Sequence, residues 1–152
     1  MKRILVALDS SPRAIDVLVT AVALARSTGG KLRLLRAVGL PPELPTNVWA
    51  MPQPQIVETF LSSAKHDLEV LAREVPPELL DGATAQVGVA WDAICSYARE
   101  HDVDLIVIGA HGYSILDRIM GTTSARVVNH ADRPVLVVRP KGHAKSHEAA
   151  AE

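Results

Sequence analysis

The sequence predicts a single α/β domain, an open and mostly parallel five-stranded sheet with helices on both faces. Three observations carry this expectation. Strand-like and helix-like patterns alternate five times along 152 residues, and successive βα units give parallel strands joined by right-handed crossovers. The candidate strands are near-continuous apolar runs, such as Val103-Asp104-Leu105-Ile106-Val107-Ile108, the pattern of strands buried on both faces. Hydrophobic residues make up 48% of the chain but aromatic ones only 3%. A core of Val, Leu, Ile and Ala suits a parallel sheet under helices better than an aromatic-rich sandwich. A chain of this length is one domain by default and buries a full core.

The elements follow in order. Arg3–Leu8 reads as the first strand. Ser11 is placed to cap a helix with Pro12 at its first position, where the missing N–H costs nothing. Ala14, Ile15, Leu18, Val22 and Ala25 then share one helical face, and Gly29-Gly30 stops that helix. Lys31–Val38 is the second strand. Residues 39–55 hold prolines at 41, 42, 45, 52 and 54, and read as a long loop of the kind often used as a lid or partner surface. Ile56–Val75 reads as the second helix, burying Val57, Phe60, Leu61, Ala64, Leu68, Leu71 and Ala72 and ended by Pro76-Pro77. Thr84–Val89 is the third strand. Asp92–Glu100 is the third helix, with Ile94, Tyr97 and Ala98 inward. The fourth strand, a glycine-rich loop, a helix over Ala125–His130 and a last strand, Arg133–Arg139, complete the pattern. Residues 1–140 are expected to form the domain and 141–152, which lack an apolar stripe, a flexible tail.

The segment after the fourth strand carries the chemistry. It reads Gly109-Ala110-His111-Gly112, then eight residues, then Gly121-Thr122-Thr123-Ser124. A strand that opens into glycines and a hydroxyl-rich helix start can hold phosphates. Glycine lets the backbone approach a ligand closely, and the first N–H groups of a helix point at an anion. In an open α/β sheet, ligands bind beyond the carboxyl ends of the strands at the topological switch point.

This spacing resembles the glycine signature of the universal stress protein family, G-x2-G-x9-G-[ST], with a second gap one residue shorter than the commonest form. The shorter gap reshapes the loop around Gly112 and Tyr113 and leaves Gly109 and Gly121 in place. Three more segments resemble the family in the same order: Lys2-Arg3-Ile4-Leu5-Val6-Ala7-Leu8-Asp9-Ser10-Ser11, Asp104–Gly109 and Arg133–Arg139. The resemblance covers roughly residues 1–140. It implies a Rossmann-like sheet of strand order 3-2-1-4-5, with the switch point between strands 1 and 4.

The resemblance also implies ATP as ligand, with Mg2+ or Mn2+ bridging the phosphates, and roles for named residues. Asp9 would accept hydrogen bonds from the adenosine part, or serve only as a helix cap. Ala37 and Val38 would lie against adenine, or be ordinary core. Gly109 and Gly112 would let the backbone pass ribose and phosphate, or form a tight turn, and Ile108 just before them counts among the nucleotide-binding residues. Gly121, Thr122 and Thr123 would donate to the β- and γ-phosphates, with plain capping by Thr122 compatible with that role. Ser124, His111 and Arg118 are weaker candidates. No catalytic residue is assigned, and at most slow hydrolysis is expected.

Other functions lose ground on the residues. There is no Gly-x4-Gly-Lys-[Ser/Thr], since Gly30-Lys31 runs into Leu32, and no Gly-x-Gly-x-x-Gly follows the first strand. Nor does the first strand carry the His-x-Gly-His of nucleotidyl transferases or the Ser-Gly-Gly-x-Asp-Ser of ATP pyrophosphatases. The alternative is an interaction module of the same fold that binds no nucleotide. Lys and Arg total 16 against 17 Asp and Glu, which gives no general basic excess for nucleic acid. The single Cys95 excludes an intramolecular disulfide and reads as a small core residue. No apolar stretch reaches the roughly 20 residues of a membrane span, and no signal-peptide pattern opens the chain. A cytoplasmic protein is expected, with unidentified protein partners. A homodimer is expected through Val135–Arg139, whose apolar run sits at the sheet edge in the implied order.

Overall fold

A computed structural model describes residues 1–39, 53–110 and 120–139. The strands are β1 (Arg3–Ala7), β2 (Lys31–Val38), β3 (Leu80–Val87), β4 (Leu105–Gly109) and β5 (Val135–Val138). The helices are α1 (Ala14–Thr28), α2 (Gln53–Ala72), α3 (Ala90–Glu100) and α4 (Thr122–His130). The five strands lie in the order β3-β2-β1-β4-β5, and every pairing is parallel.

The chain's alternation of side chains splits the core in two. Ile4, Val6, Leu32 and Leu34 face α1 and the Leu68 stripe of α2. Leu5, Ala7, Leu35, Ile106 and Ile108 face α3 and Val127 of α4. Two helices thus cover each face. This is the arrangement right-handed crossovers require when the chain first moves outward from β1 one way and then, from β4, the other. The central strand β1 carries Ile4, Leu5 and Val6 at 1% exposure or less, so both faces must be apolar.

Several boundaries move for physical reasons. The first helix begins at Ala14, with Arg13 as cap residue, not at Pro12. The Asp9 carboxylate accepts the Ser11 N–H at 2.9 Å, and the Ser11 carbonyl accepts the Ala14 N–H at 3.1 Å. The intervening residues are therefore held in a turn. Ile15 is consequently 39% exposed, and Val17 and Ala21 take the inward places beside Ala14, Leu18 and Ala25. Helix α2 starts at Gln53 and includes Pro54, because a first-turn N–H has no helical acceptor to lose. Phe60, expected inside, is 36% exposed, while Ile56 is buried.

Strand β3 begins at Leu80, four residues ahead of the expected Thr84. Asp81-Gly82 reads locally as a turn. Pairing with β2 extends the strand through it, with a register irregularity at Leu32/Arg33. An edge strand tolerates such residues. Helix α4 starts at Thr122, three residues before Ala125.

Candidate functional site

The end of the sheet where the strands finish is built by β1, β4 and the helices that leave them. β1 and β4 are neighbours, paired from Ile4↔Leu105 to Ala7↔Ile108. From β1 the chain departs into α1 on one face and from β4 toward α4 on the other. The expected switch point is therefore present, and Asp9 and Gly109 stand at its two strand ends.

On the β4 side the backbone folds back tightly. The Ala110 N–H donates to the Val138 carbonyl at 2.9 Å, and the Gly121 N–H donates to the Ala110 carbonyl at 3.0 Å. Ser124, only 3% exposed, donates its hydroxyl to the Gly109 carbonyl in a short hydrogen bond. Ser124 thereby locks the first turn of α4 onto the end of β4. Its hydroxyl is engaged in structure, which explains its weaker claim as a ligand donor.

Gly121 is the cap residue of α4, and among the described residues no side chain caps the helix. Thr122 is the first helical residue, so the expected capping by Thr122 is not what the structure has. The first intrahelical bond runs from the Ala125 N–H to the Gly121 carbonyl at 2.9 Å. The N–H groups of Thr122, Thr123 and Ser124 precede it and have no helical acceptor. Thr122 is exposed and Thr123 half-buried. Gly121 has φ −61° and ψ 158°, which any residue adopts. Backbone conformation therefore does not demand glycine there.

On the β1 side, Asp9 lines a cleft of about 400 Å3 together with Ser10, Ser11, Arg36, His66 and Asp67. The Asp9 carboxylate is exposed and fixed by its bond to the Ser11 N–H. Arg36 of β2 donates to Asp67 of α2 at 3.1 Å, with Arg36 15% and Asp67 53% exposed at the side chain. These lining residues escaped the sequence reading. The only signal was Arg36 near the end of β2, a strand that also carries Lys31 and Arg33, and its partner lies on another element, 31 residues on.

The other candidates separate. Ala37 and Val38 end β2 half-buried, in line with Gln86 and Val87 of β3. The Ile108 side chain is 5% exposed and belongs to the core under α3 and α4, so only its backbone reaches the strand end. Gly112, His111 and Arg118 lie outside the described residues, as do the Pro-rich segment 40–52 and the expected tail. Cys95 is 2% exposed, and burial pushes its thiol pKa up, which keeps it protonated and unreactive. Among the described residues, no cluster of three or more His, Cys, Asp or Glu is placed to hold a metal ion. Also among them, no helix is long and apolar enough to cross a membrane.

Comparison with known proteins follows the same lines. A family model described as the universal stress protein family matches residues 1–139. Universal stress protein A homolog 1 of Coxiella burnetii is 29% identical over 140 residues, covering 90% of this chain and 95% of the relative. Among solved structures, the universal stress protein UspA from Lactobacillus plantarum superposes with a TM-score of 0.71 at 27% identity, covering 91% of this chain and 97% of that one. A universal stress protein from Archaeoglobus fulgidus, solved in complex with dAMP, has a TM-score of 0.56 at 26% identity, with 91% and 98% covered.

Proposed function

This chain belongs to the universal stress protein family, and on that premise we propose that it binds ATP at the β1–β4 switch point and acts as a nucleotide-responsive regulatory homodimer in a stress response, with little or no hydrolysis. The observation that carries the reading is the start of α4, which no side chain among the described residues caps. Helix starts favour Ser, Thr, Asp or Asn as cap. Here Gly121 occupies that place, among the described residues no side chain caps the helix, and the helix starts at the end of the sheet where ligands bind in this architecture. An anion there would meet the positive end of the helix dipole and the N–H groups of Thr122 and Thr123. The complex of the Archaeoglobus relative with dAMP supports a nucleotide as the ligand class.

In this reading Asp9 accepts hydrogen bonds from the nucleoside, and Ala37 and Val38 offer an apolar edge to the base. Gly109 and Gly112 allow close passage of the backbone. Mg2+ or Mn2+ fits because Mg2+ leans on substrate phosphates and its own waters and needs no protein cage. The proposed dimer forms through β5. That strand lies at the sheet edge and shows Leu136 at 36% exposure, and an apolar edge invites strand pairing. The proposed setting is the cytoplasm.

Calorimetry with ATP and Mg2+ tests the reading. Saturable heat with one nucleotide per chain is expected. No heat at millimolar ATP, with the protein folded by circular dichroism, leaves the interaction module as the function.

A further inference from the structure

The opposite end of the sheet, where the strands begin, carries a second cavity of about 200 Å3 lined by Arg3, Lys31, Arg33, Asp81 and His101. The topology brings these together. Arg3 and Lys31 open neighbouring strands in register, Arg33 and Asp81 come from β2 and β3, and His101 follows α3.

The guanidinium of Arg33 is held from two sides. Its Nε and Nη2 donate to the Asp81 carboxylate at 3.2 and 2.8 Å, and its Nη1 donates to the Tyr97 hydroxyl at 3.4 Å. The Tyr97 ring stacks on His101, with centroids 3.8 Å apart and planes 12° from parallel. His101 Nδ1 lies 3.0 Å from the Tyr97 carbonyl. A carbonyl only accepts, so Nδ1 carries the proton and the ring is fixed through that atom. Arg3 donates to the Asp102 carboxylate at 3.0 Å. Among the described residues nothing pairs with the Lys31 ammonium.

Arg3, Lys31 and Arg33 line the cavity with a single lining carboxylate, Asp81, while outside the lining Asp102 pairs with Arg3 and Asp104 accepts the Arg3 N–H. The volume is below the roughly 300 Å3 at which organic-ligand pockets begin. It suits a small oxyanion with its waters. Guanidinium groups already oriented by neighbours bind such anions with little further ordering.

We propose that this cavity is a binding site for a phosphate-class oxyanion, free or as the terminal group of a phosphomonoester, held by Lys31, Arg3 and Arg33. It is independent of the nucleotide site at the other end of the sheet.

The test is a titration of the full chain with inorganic phosphate and, separately, with phenyl phosphate. Chloride at equal ionic strength is the control, and the amide resonances of Lys31, Arg33 and His101 are followed by NMR. Saturable shifts at these residues are expected. Lys31→Gln, an exposed change that leaves the core alone, is expected to weaken phosphate binding about tenfold, the scale of one lost charge-assisted hydrogen bond, while ATP binding stays as in the parent. Tighter binding of phenyl phosphate than of phosphate assigns an esterified occupant, and the reverse assigns the free anion. A response matched by chloride, shifts confined to Gly109 and Thr122–Ser124, or parental phosphate affinity in Lys31→Gln would overturn the proposal.

Discussion

Gly29 and Gly30 stand side by side and answer different physical needs. Gly29 closes α1 with φ 69°, and its N–H donates to the Ala25 carbonyl. A side chain there is strained whatever the space. Gly30 has no such φ, but a Cβ on it would sit 2.9 Å from the Met1 carbonyl oxygen. Urea denaturation should separate the two. Gly29→Ala is expected to cost about 1 kcal/mol, partly recovered by Gly29→Asn because asparagine visits the left-handed region. Gly30→Ala is expected to cost about 1–3 kcal/mol through overpacking, and Gly30→Asn no less. Gly121 is a third case, with an ordinary φ and ψ that valine can adopt. Gly121→Val should therefore fold like the parent, with unchanged circular dichroism. Its nucleotide affinity should fall about tenfold or more, the loss of at least one charge-assisted hydrogen bond. Parental ATP binding by this variant in calorimetry would remove the phosphates from the start of α4.

Elements are joined at their ends by single side chains. Asp104, just ahead of β4, accepts the N–H groups of Lys2 and Arg3 at 2.7 and 2.9 Å. Its own N–H donates to the Arg3 carbonyl at 2.9 Å. The Arg3 N–H first, and the Lys2 N–H next, hold the Asp104 pKa below the usual carboxylate value. A pKa depressed by folding gives stability that is present above the unfolded value, about 3.9, and is lost as pH falls through the folded one. Asp104→Ala should melt below the parent at neutral pH, and the gap should close in acid below about pH 4. Arg133 makes a similar tie ahead of β5. Its Nη1 donates to the carbonyls of Ala98 and Val103 at 2.6 and 3.0 Å. Within β5 itself the two faces differ. Val137 packs on the core under α3 and α4, whereas Leu136 is 36% exposed. Leu136→Lys should leave the melting of the monomer nearly unchanged and dissociate the proposed dimer in sedimentation, while Val137→Lys should destabilise the fold itself. A wild-type chain that sediments as a monomer at tens of micromolar would dispose of the β5 dimer.

Across the whole molecule, the two ends of one sheet carry the two proposed sites, and binding at either must add to stability by mass action. ATP with Mg2+ at about 100 times its Kd should contribute about 2.7 kcal/mol. For a chain of this size that raises Tm by roughly 5–10 °C. A thermal scan showing no shift at saturation would contradict the calorimetric reading. The architecture itself was legible before any coordinates. Apolar runs such as Leu105–Ile108 and the periodic faces of the helices encode strand and helix locally, and their strict alternation leaves a parallel sheet as the compact solution. The glycine and threonine positions at the end of β4 were legible for the same reason, because backbone freedom and helix starts are local properties. The start of α1 was not, since the Asp9 carboxylate draws the following residues into a turn that competes with helix. The first half of β3 was hidden because pairing with β2 overrides the turn preference of Asp81-Gly82. Sequence by itself therefore determined the elements, their order and the placing of Gly109 at the end of β4 and Gly121 just before α4. Only the tertiary structure decided that Arg36 meets Asp67 in the Asp9 cleft and that Arg3, Lys31 and Arg33 converge at the far end. Those groupings join residues from separate elements, and no local pattern in a chain specifies which distant side chains its crossovers will bring together.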